Sequence, residues 1–190
     1  MAKEPIPRES INLDAVTIKP FDNVIRRKAF SCGKQNIDNF LFHSAPDQHK
    51  KSHCRVYYAI HDGALAGFYS LAAASRNADL ISQQAIEYFE RISHAPCIYL
   101  GMIGVQEKWQ ANGIGKKLMI HAMETTVQVA ELVGIYALIL QAADAEIGRR
   151  YKKWGFEYFL GEQERPQPNM FIALETIKKA RAKAAPEAKS

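Results

Sequence analysis

The chain has 190 residues, and 25 lysines and arginines against 20 aspartates and glutamates give it a formal net charge of +5. Its content of 47% hydrophobic and 24% charged residues is that of a globular protein and excludes a disordered one. No apolar run approaches the ~18–20 residues of a membrane span, and the N-terminus lacks the apolar core of a secretory signal. The three cysteines form no C-x-x-C pair, which disfavours a disulfide framework or a zinc site. We therefore expect a soluble, cytoplasmic protein with no membrane partner, whose basic charge favours a polyanion.

Hydrophobic patterning predicts an alternation of strands and helices along the chain. Apolar or β-branched runs bounded by turn residues predict strands at residues 15–18, 55–60, 65–71, 97–105, 137–140, 156–160 and 170–174. Apolar residues at helical spacing predict helices at residues 37–41, 82–90, 113–132 and 145–153. Pro46 is predicted to end or kink the first helix, and residues 73–77 are predicted to be a loop.

The order of these elements predicts a single α/β (α+β) domain with a mixed sheet flanked by helices. We assign residues 13–177 to this domain. Residues 1–12 contain two prolines and little periodicity, so we expect a flexible arm there. Residues 178–190 are rich in lysine and alanine and contain no large apolar residue, so we expect a basic tail that is disordered or a frayed helix.

The stretch from Val105 to Leu118 places a glycine-bearing loop between an apolar strand and a long helix. Gly113 and Gly115 allow backbone conformations and close approaches that a Cβ atom would obstruct. The first N–H groups of the helix lack internal partners, and the helix dipole adds positive charge there, so the loop is suited to a phosphate or pyrophosphate. Leu118 replaces the third glycine of a dinucleotide fingerprint, and a Walker P-loop is absent from the sequence. An ordinary glycine-rich turn is the alternative interpretation.

A second element places Tyr151 on a short helix that Gly155 ends, with Phe156 beginning the next strand. A tyrosine hydroxyl can protonate a departing thiolate, which is the role of a general acid. The alternative is a half-buried tyrosine whose hydroxyl simply reaches water.

Together the two elements resemble the GNAT family of acetyl-coenzyme A-dependent N-acetyltransferases. Gln110-x-x-Gly113-x-Gly115 matches the pyrophosphate-binding signature of that family, and Tyr151-x-x-x-Gly155-Phe156 matches its downstream element. The resemblance implies a single-domain enzyme with a mixed, mostly antiparallel sheet, a bulged central strand ending at Val105, acetyl-CoA as co-substrate, no metal, and Tyr151 as the catalytic residue. The residues that it assigns to acetyl-CoA binding are Ile103, Gly104, Val105, Gln110, Ala111, Asn112, Gly113, Ile114, Gly115 and Lys116.

A narrower resemblance, to the GNAT toxins of bacterial toxin–antitoxin pairs, covers residues 30–177. Its residues are Phe30-x-Cys32-Gly33-x-x-x-Ile37-Asp38-x-Phe40-Leu41, then Gln48, Arg55 to Ile60, and Leu100-Gly101. Met102 departs from the arginine that is common at that position. The resemblance implies acetylation of the α-amino group of an aminoacyl-tRNA, which blocks translation, a ribbon-helix-helix DNA-binding antitoxin as partner, and a homodimer.

The chemistry of the amine is consistent with such an acceptor. At pH 7 an α-amine with a pKa of 7.7–8.0 is about 10–15% neutral, whereas a lysine amine is neutral to roughly one part in 2500. An α-amine therefore needs less help from a general base, and no carboxylate stands out as one, because Glu107 is predicted to be a solvated loop residue. Arg149 and Arg150 flank Tyr151 and are our predicted contacts to tRNA phosphates.

Other interpretations remain open at this point. The same chemistry could act on a protein or small-molecule amine, and a non-enzymatic nucleic-acid-binding module would also use the basic surface. His49, His53 and Cys54 imitate a metal cluster but are predicted to be surface residues without a metal. Cys32 would be a nucleophile only beside a placed histidine, and the sequence offers no argument for one.

Overall fold

The computed structural model describes residues 7–184. Within that range the strands form one sheet in the order β1-β2-β3-β4-β5-β7-β6. The strand bounds are β1 Thr17–Pro20, β2 Arg55–His61, β3 Ala64–Asn77, β4 His94–Val105, β5 Ala137–Gln141, β6 Glu157–Tyr158 and β7 Asn169–Ala173. β4 and β5 are parallel, whereas the pairs β1/β2, β2/β3, β5/β7 and β6/β7 are antiparallel. The mixed, mostly antiparallel sheet predicted from the sequence is confirmed.

The α-helices lie between the strands and after the last one. Their bounds are α1 Gln35–Asn39, α2 Ala45–Lys50, α3 Ala78–Ile81, α4 Gln83–Tyr88, α5 Ile114–Ala130, α6 Ala145–Lys152 and α7 Leu174–Ala184. Short 3-10 turns occupy Leu13–Ala15 and Glu107–Trp109, and a π-helical turn occupies Phe40–Ser44. No helix within residues 7–184 is long and apolar enough to cross a membrane.

Two compact units can be distinguished in the chain. One contains the described residues up to Ala72 together with Gly101–Ala122, and the other contains Ala73–Leu100 together with the described residues from Met123 onwards. One buried cluster in the first unit contains Phe30, Cys32, Leu41, Ala45, Cys54, Val56, Tyr58, Leu65 and Phe68. One buried cluster in the second unit contains Ala78, Ile81, Ala85, Ala95, Cys97, Tyr136, Ala137, Ile139, Phe159 and Phe171.

The structure contradicts one local prediction and decides between the alternatives of another. Residues 73–77, predicted as a loop, belong to β3, and the Arg76 guanidinium lies 5.8 Å from the ring centroid of Tyr99 on β4. Pairing in the sheet overrides the weak strand propensity of this small and polar segment. Pro46 does not end the helical segment, but the regular α-helical pattern is interrupted just before it by the π-helical turn, in keeping with the predicted kink, and Pro46 lies in the first turn of α2. Proline is tolerated there because the first turn of a helix does not use its N–H groups.

The ends of the chain also differ in part from expectation. Residues 178–184 of the predicted basic tail are helical, which is one of its two predicted alternatives, but they continue α7, which begins inside the predicted domain and buries Ile177. Residues 9–12, assigned to a flexible arm, are hydrogen-bonded to the loop that follows β4. Residues 1–6 and 185–190 of the predicted arm and tail lie outside the described residues.

Candidate active site

The C-terminal part of β4 is tightly packed at its glycine. A Cβ atom on Gly104 would lie 3.0 Å from Cγ2 of Ile37 and 3.2 Å from Cε1 of Phe68. The main-chain oxygen of Gly104 would in turn lie 2.9 Å from a Cβ atom on Gly67. A glycine inside a strand usually weakens it, but at position 104 the close packing within the first unit leaves no room for a side chain.

Gln110 holds the loop after β4 in place through its side chain. Its amide Nε2 donates to the carbonyl oxygens of Val105, at 3.1 Å, and Cys32, at 3.0 Å. The side chain of the first motif residue therefore ties the loop to the end of β4 and to the segment before α1. Because this side-chain amide is used within the protein, we expect the loop to contact a ligand through its backbone.

The backbone of the loop has the shape of an anion cradle. Ala111 has a φ of 67° and Gly113 a φ of 85°, so two positions lie in the left-handed region, which non-glycine residues rarely adopt. The first helical bond of α5 runs from the Lys117 N–H to the Gly113 oxygen, at 3.0 Å. The N–H groups of residues 113–116 precede that bond and have no intrahelical acceptor. These groups and the positive end of the helix dipole together suit a phosphate or pyrophosphate.

The side chains around this cradle have separate roles. Ile114 is 1% exposed and belongs to the core, so only its backbone can reach a ligand. The Lys116 side chain is exposed, whereas Lys117 Nζ donates to the Leu13 oxygen at 2.9 Å. A Cβ atom on Gly115 would lie 3.7 Å from Cγ2 of Val105, which is an ordinary contact. Gly113 is thus the position in the motif at which a side chain is least tolerated.

Tyr151 lies near the end of α6, in a largely apolar setting within the second unit. The rings of Trp154 and Phe156 have their centroids 5.7 Å from its own. Burial raises the pKa of Tyr151 to about 12, and the negative charge of Asp144 acts in the same direction. The hydroxyl is therefore protonated at neutral pH and available as a proton donor.

The local sequence explains how α6 presents this tyrosine. Asp144 caps the helix, because its Oδ1 accepts from the Ile147 N–H at 2.8 Å. Gly155 follows with a φ of 90°, a conformation that favours glycine just after a helix. Arg149 and Arg150 are exposed on the same helix, and Arg150 pairs with Glu146 one turn earlier.

The structure corrects the prediction for Glu107. This residue is partly buried, and its Oε2 accepts from the Ser31 hydroxyl at 2.7 Å. Its N–H donates to the Ser31 oxygen at 2.8 Å, and the Ser31 N–H donates to Gln106 Oε1 at 2.6 Å. Sequence patterns miss Ser31 because about 75 residues separate it from its partners.

The remaining candidates of the sequence are structural. Burial and a hydrogen bond to Asp38 raise the pKa of the Cys32 thiol to about 12, which makes it a poor nucleophile at neutral pH. His49 accepts the Val56 N–H at 3.1 Å and stacks on Phe21. Within the part of the chain that the structure describes, no group of three or more His, Cys, Asp or Glu side chains could hold a metal ion.

Each unit contains one of the two elements that the sequence motifs predict: a glycine-bearing loop at the start of α5 in the first unit, and a partly buried tyrosine on α6 in the second. The chain matches the model of the acetyltransferase (GNAT) family over residues 25–156 and belongs to that family. The family that the two sequence motifs predict is therefore confirmed.

Known proteins similar to this chain include curated and structurally solved toxins. A tRNA-acetylating toxin of Mycobacterium tuberculosis is 29% identical over 130 residues, which are 68% of this chain and 76% of the relative. The structure of AtaT complexed with acetyl-methionyl-tRNAfMet has a TM-score of 0.78 at 22% identity, over 87% of this chain and 99% of that one. A mutant AtaT toxin bound to the C-terminus of the antitoxin AtaR and to acetyl-CoA has a TM-score of 0.72 at 21% identity, over 88% and 99%. The two structures share the fold of this chain.

Proposed function

We propose that this protein transfers the acetyl group of acetyl-CoA to the α-amino group of an aminoacyl-tRNA and so blocks translation as the toxin of a toxin–antitoxin pair. The observation that carries the proposal is the similarity to a tRNA-acetylating toxin in a chain that belongs to the GNAT family. The net charge of +5 and the two motif elements are in keeping with that activity.

Acetyl-CoA binding is assigned first to the backbone of the loop and of β4. The N–H groups of residues 113–116 bind the pyrophosphate, because they have no helical acceptor and lie at the positive end of α5. Residues 103–105 of β4 and residues 110–112 of the loop complete this part of the site. The loop residues fit a pyrophosphate because their backbone forms a cradle, and a side chain at position 113 would disturb it, since Gly113 has a φ of 85°.

Tyr151 is assigned the role of general acid. In the reaction a C–N bond forms and the C–S bond breaks, while the amine loses one proton and the sulfur gains one. Full transfer from a hydroxyl of pKa about 12 to a thiolate whose thiol has a pKa near 8.5 is uphill by about 5 kcal/mol. Tyr151 therefore gives its proton to sulfur as the C–S bond breaks, and its oxygen takes up the amine proton, which becomes acidic as the C–N bond forms, so the hydroxyl is restored.

The acceptor is assigned from the chemistry of its amine and from charge. An α-amine is neutral often enough at pH 7 to attack with little help from a general base. Arg149 is exposed and Arg150 forms only an exposed ion pair, which contributes little to stability, so both can turn to RNA phosphates.

The test is acetyl transfer from radiolabelled acetyl-CoA to a pool of charged tRNA, with uncharged tRNA, polylysine and small amines as the other acceptors. The wild-type protein should label the charged tRNA alone. The Tyr151→Phe variant should lower kcat by about 10²–10⁴-fold, the usual contribution of a general acid, and still bind coenzyme A. Tyr88→Phe, a change at an exposed tyrosine, is the matched control and should keep full activity. A wild-type protein that labels only another acceptor would overturn the proposal.

The partners follow from the same proposal. We assign a ribbon-helix-helix antitoxin that neutralises the protein, a homodimeric state and action in the cytoplasm, where aminoacyl-tRNA is consumed. The structure of AtaT bound to the C-terminus of the antitoxin AtaR supports an antitoxin as partner. If a small ribbon-helix-helix protein is encoded next to this gene, its co-expression should restore growth to cells that the acetyltransferase arrests.

A further inference from the structure

A short segment near the N-terminus is bound to the loop that carries the anion cradle. Residues 9–13, here the N-terminal strap, form main-chain bonds to it, because the Glu9 N–H donates to the Lys108 oxygen at 2.7 Å. Asn112 completes the connection in both directions. Its Nδ2 donates to the Glu9 oxygen at 2.8 Å, and its Oδ1 accepts from the Ile11 N–H at 3.3 Å. The strap and the loop are about 100 residues apart in sequence.

Side chains strengthen this connection at both ends of the strap. The Glu9 carboxylate accepts from Trp109 Nε1 at 3.0 Å and from Lys108 Nζ at 3.2 Å. The hydrogen bond to Lys108 is the main reason that the pKa of Glu9 is lowered. At the other end, the Leu13 oxygen accepts from Lys117 Nζ at 2.9 Å on the first turn of α5. The loop is thus held before and after its glycine positions.

The conformation of the loop explains why it needs such support. Ala111 adopts a φ of 67°, a left-handed conformation that is strained for a residue with a Cβ atom. Asn112 stabilises the neighbouring turn as well, since its Nδ2 lies 3.2 Å from the Trp109 oxygen and 3.4 Å from the Gln110 oxygen. One side chain therefore connects the strained turn to the strap.

We propose that Asn112 and the N-terminal strap are positioning elements that hold the loop in its anion-binding conformation before coenzyme A arrives. This inference rests on the proposed use of acetyl-CoA. A loop that is already ordered loses less conformational entropy on binding, so the strap increases affinity for the pyrophosphate without touching it. Asn112 occupies a variable position of the Gln-x-x-Gly-x-Gly signature, and the strap lies before the family match, which begins at residue 25. The device is therefore a feature of this chain beyond the family signature.

Two variants remove the connection from opposite sides. Asn112→Ala removes the amide, and Ile11→Pro removes the N–H that donates to it while leaving the loop sequence intact. The matched controls are Asn23→Ala, a change at an exposed asparagine outside the strap, and Ile11→Ala, which keeps the N–H. Because a protein hydrogen bond contributes about 0.5–1.5 kcal/mol, the KM for acetyl-CoA should rise about tenfold in Asn112→Ala and about threefold in Ile11→Pro. Both controls should match the wild type.

Further measurements separate positioning from general damage. In both variants kcat should stay within about twofold of the wild type. The KM for S-acetylpantetheine, which lacks the pyrophosphate, should not change. The double variant Asn112→Ala/Ile11→Pro should raise the KM for acetyl-CoA by less than the product of the two single fold-changes, because both changes remove the same hydrogen bond.

The outcomes distinguish this inference from the proposed function. Calorimetric titration with coenzyme A measures loop binding without any acceptor, so the strap can be tested whichever amine is acetylated. An unchanged KM for acetyl-CoA in Asn112→Ala, or an equal rise for both thioesters, would overturn the positioning role. A wild-type protein that does not bind coenzyme A would instead overturn the proposed function.

Discussion

Replacement of Gly113 by alanine tests whether the loop must adopt the backbone shape that the structure shows. Gly113 has a φ of 85°, and an added Cβ atom would lie 3.0 Å from Cδ2 of Leu13. The left-handed conformation costs about 1–2 kcal/mol for a residue with a side chain. The contact with Leu13 adds to that cost, so we expect a total penalty of about 2 kcal/mol. The matched control is Gly115→Ala, because a Cβ atom there would lie an ordinary 3.7 Å from Val105.

The penalty must be measurable in one of two ways. If the loop keeps its shape, the melting temperature of Gly113→Ala falls by about 4–8 °C. If the loop relaxes instead, coenzyme A affinity falls by as much as about 30-fold. Differential scanning calorimetry and isothermal titration with coenzyme A should be run on both alanine variants. Gly115→Ala should keep its affinity within about threefold and lose no stability, because alanine is favoured over glycine in a helix. A Gly113→Ala protein that melts and binds like the wild type would refute this reasoning.

Two further predictions concern Tyr151 and the buried thiols. Asp144→Asn should keep the cap of α6 and lower the pKa of Tyr151, as measured by ultraviolet difference titration. Asp144→Ala should lower this pKa too and also cost about 1 kcal/mol of stability, because the cap is lost. Equal pKa values of Tyr151 in Asp144→Asn and in the wild type would contradict this prediction. The pKa values of Tyr151 and Cys32 in the folded protein are both about 12, above their ordinary values of 10 and 9. The unfolded chain therefore releases these protons at lower pH than the folded chain. The free energy of unfolding should thus fall as the pH rises from about 9 to 12. Urea unfolding at pH 8 and pH 10.5 should show that loss, and the loss should be smaller in Tyr151→Phe; a stability that rises with pH in this window would show that the sign is wrong.

The elements that local sequence predicts well are those whose cause is local. α6 begins at an aspartate cap and ends before a glycine with positive φ, and both signals lie within a few residues of Tyr151. The loop before α5 is similar, because its glycines and the free N–H groups that follow are neighbours in the chain. Spacing was therefore sufficient to place the tyrosine on a helix and the glycine motif at the start of another.

Other features depend on partners that are distant in sequence. Residues 73–77 carry weak strand propensity, and they are a strand because the sheet extends past them. Glu107 looks like a loop carboxylate in the sequence, yet Ser31 binds it across 76 positions. Hydrogen-bond partners over such separations have no periodicity that a sequence pattern could report.

By itself, the sequence determined the family, the glycine loop, the helix that carries Tyr151 and the mixed α/β class. The family followed from the resemblance of two motifs to a known signature. The other three features depend on backbone conformation or side-chain period within a few residues, which composition and spacing control directly. Only the tertiary structure decided that residues 9–13 hold the loop through Asn112, and that burial raises the pKa of Tyr151 to about 12. Burial and long-range hydrogen bonds arise when distant segments pack together, so they exist only in the folded chain.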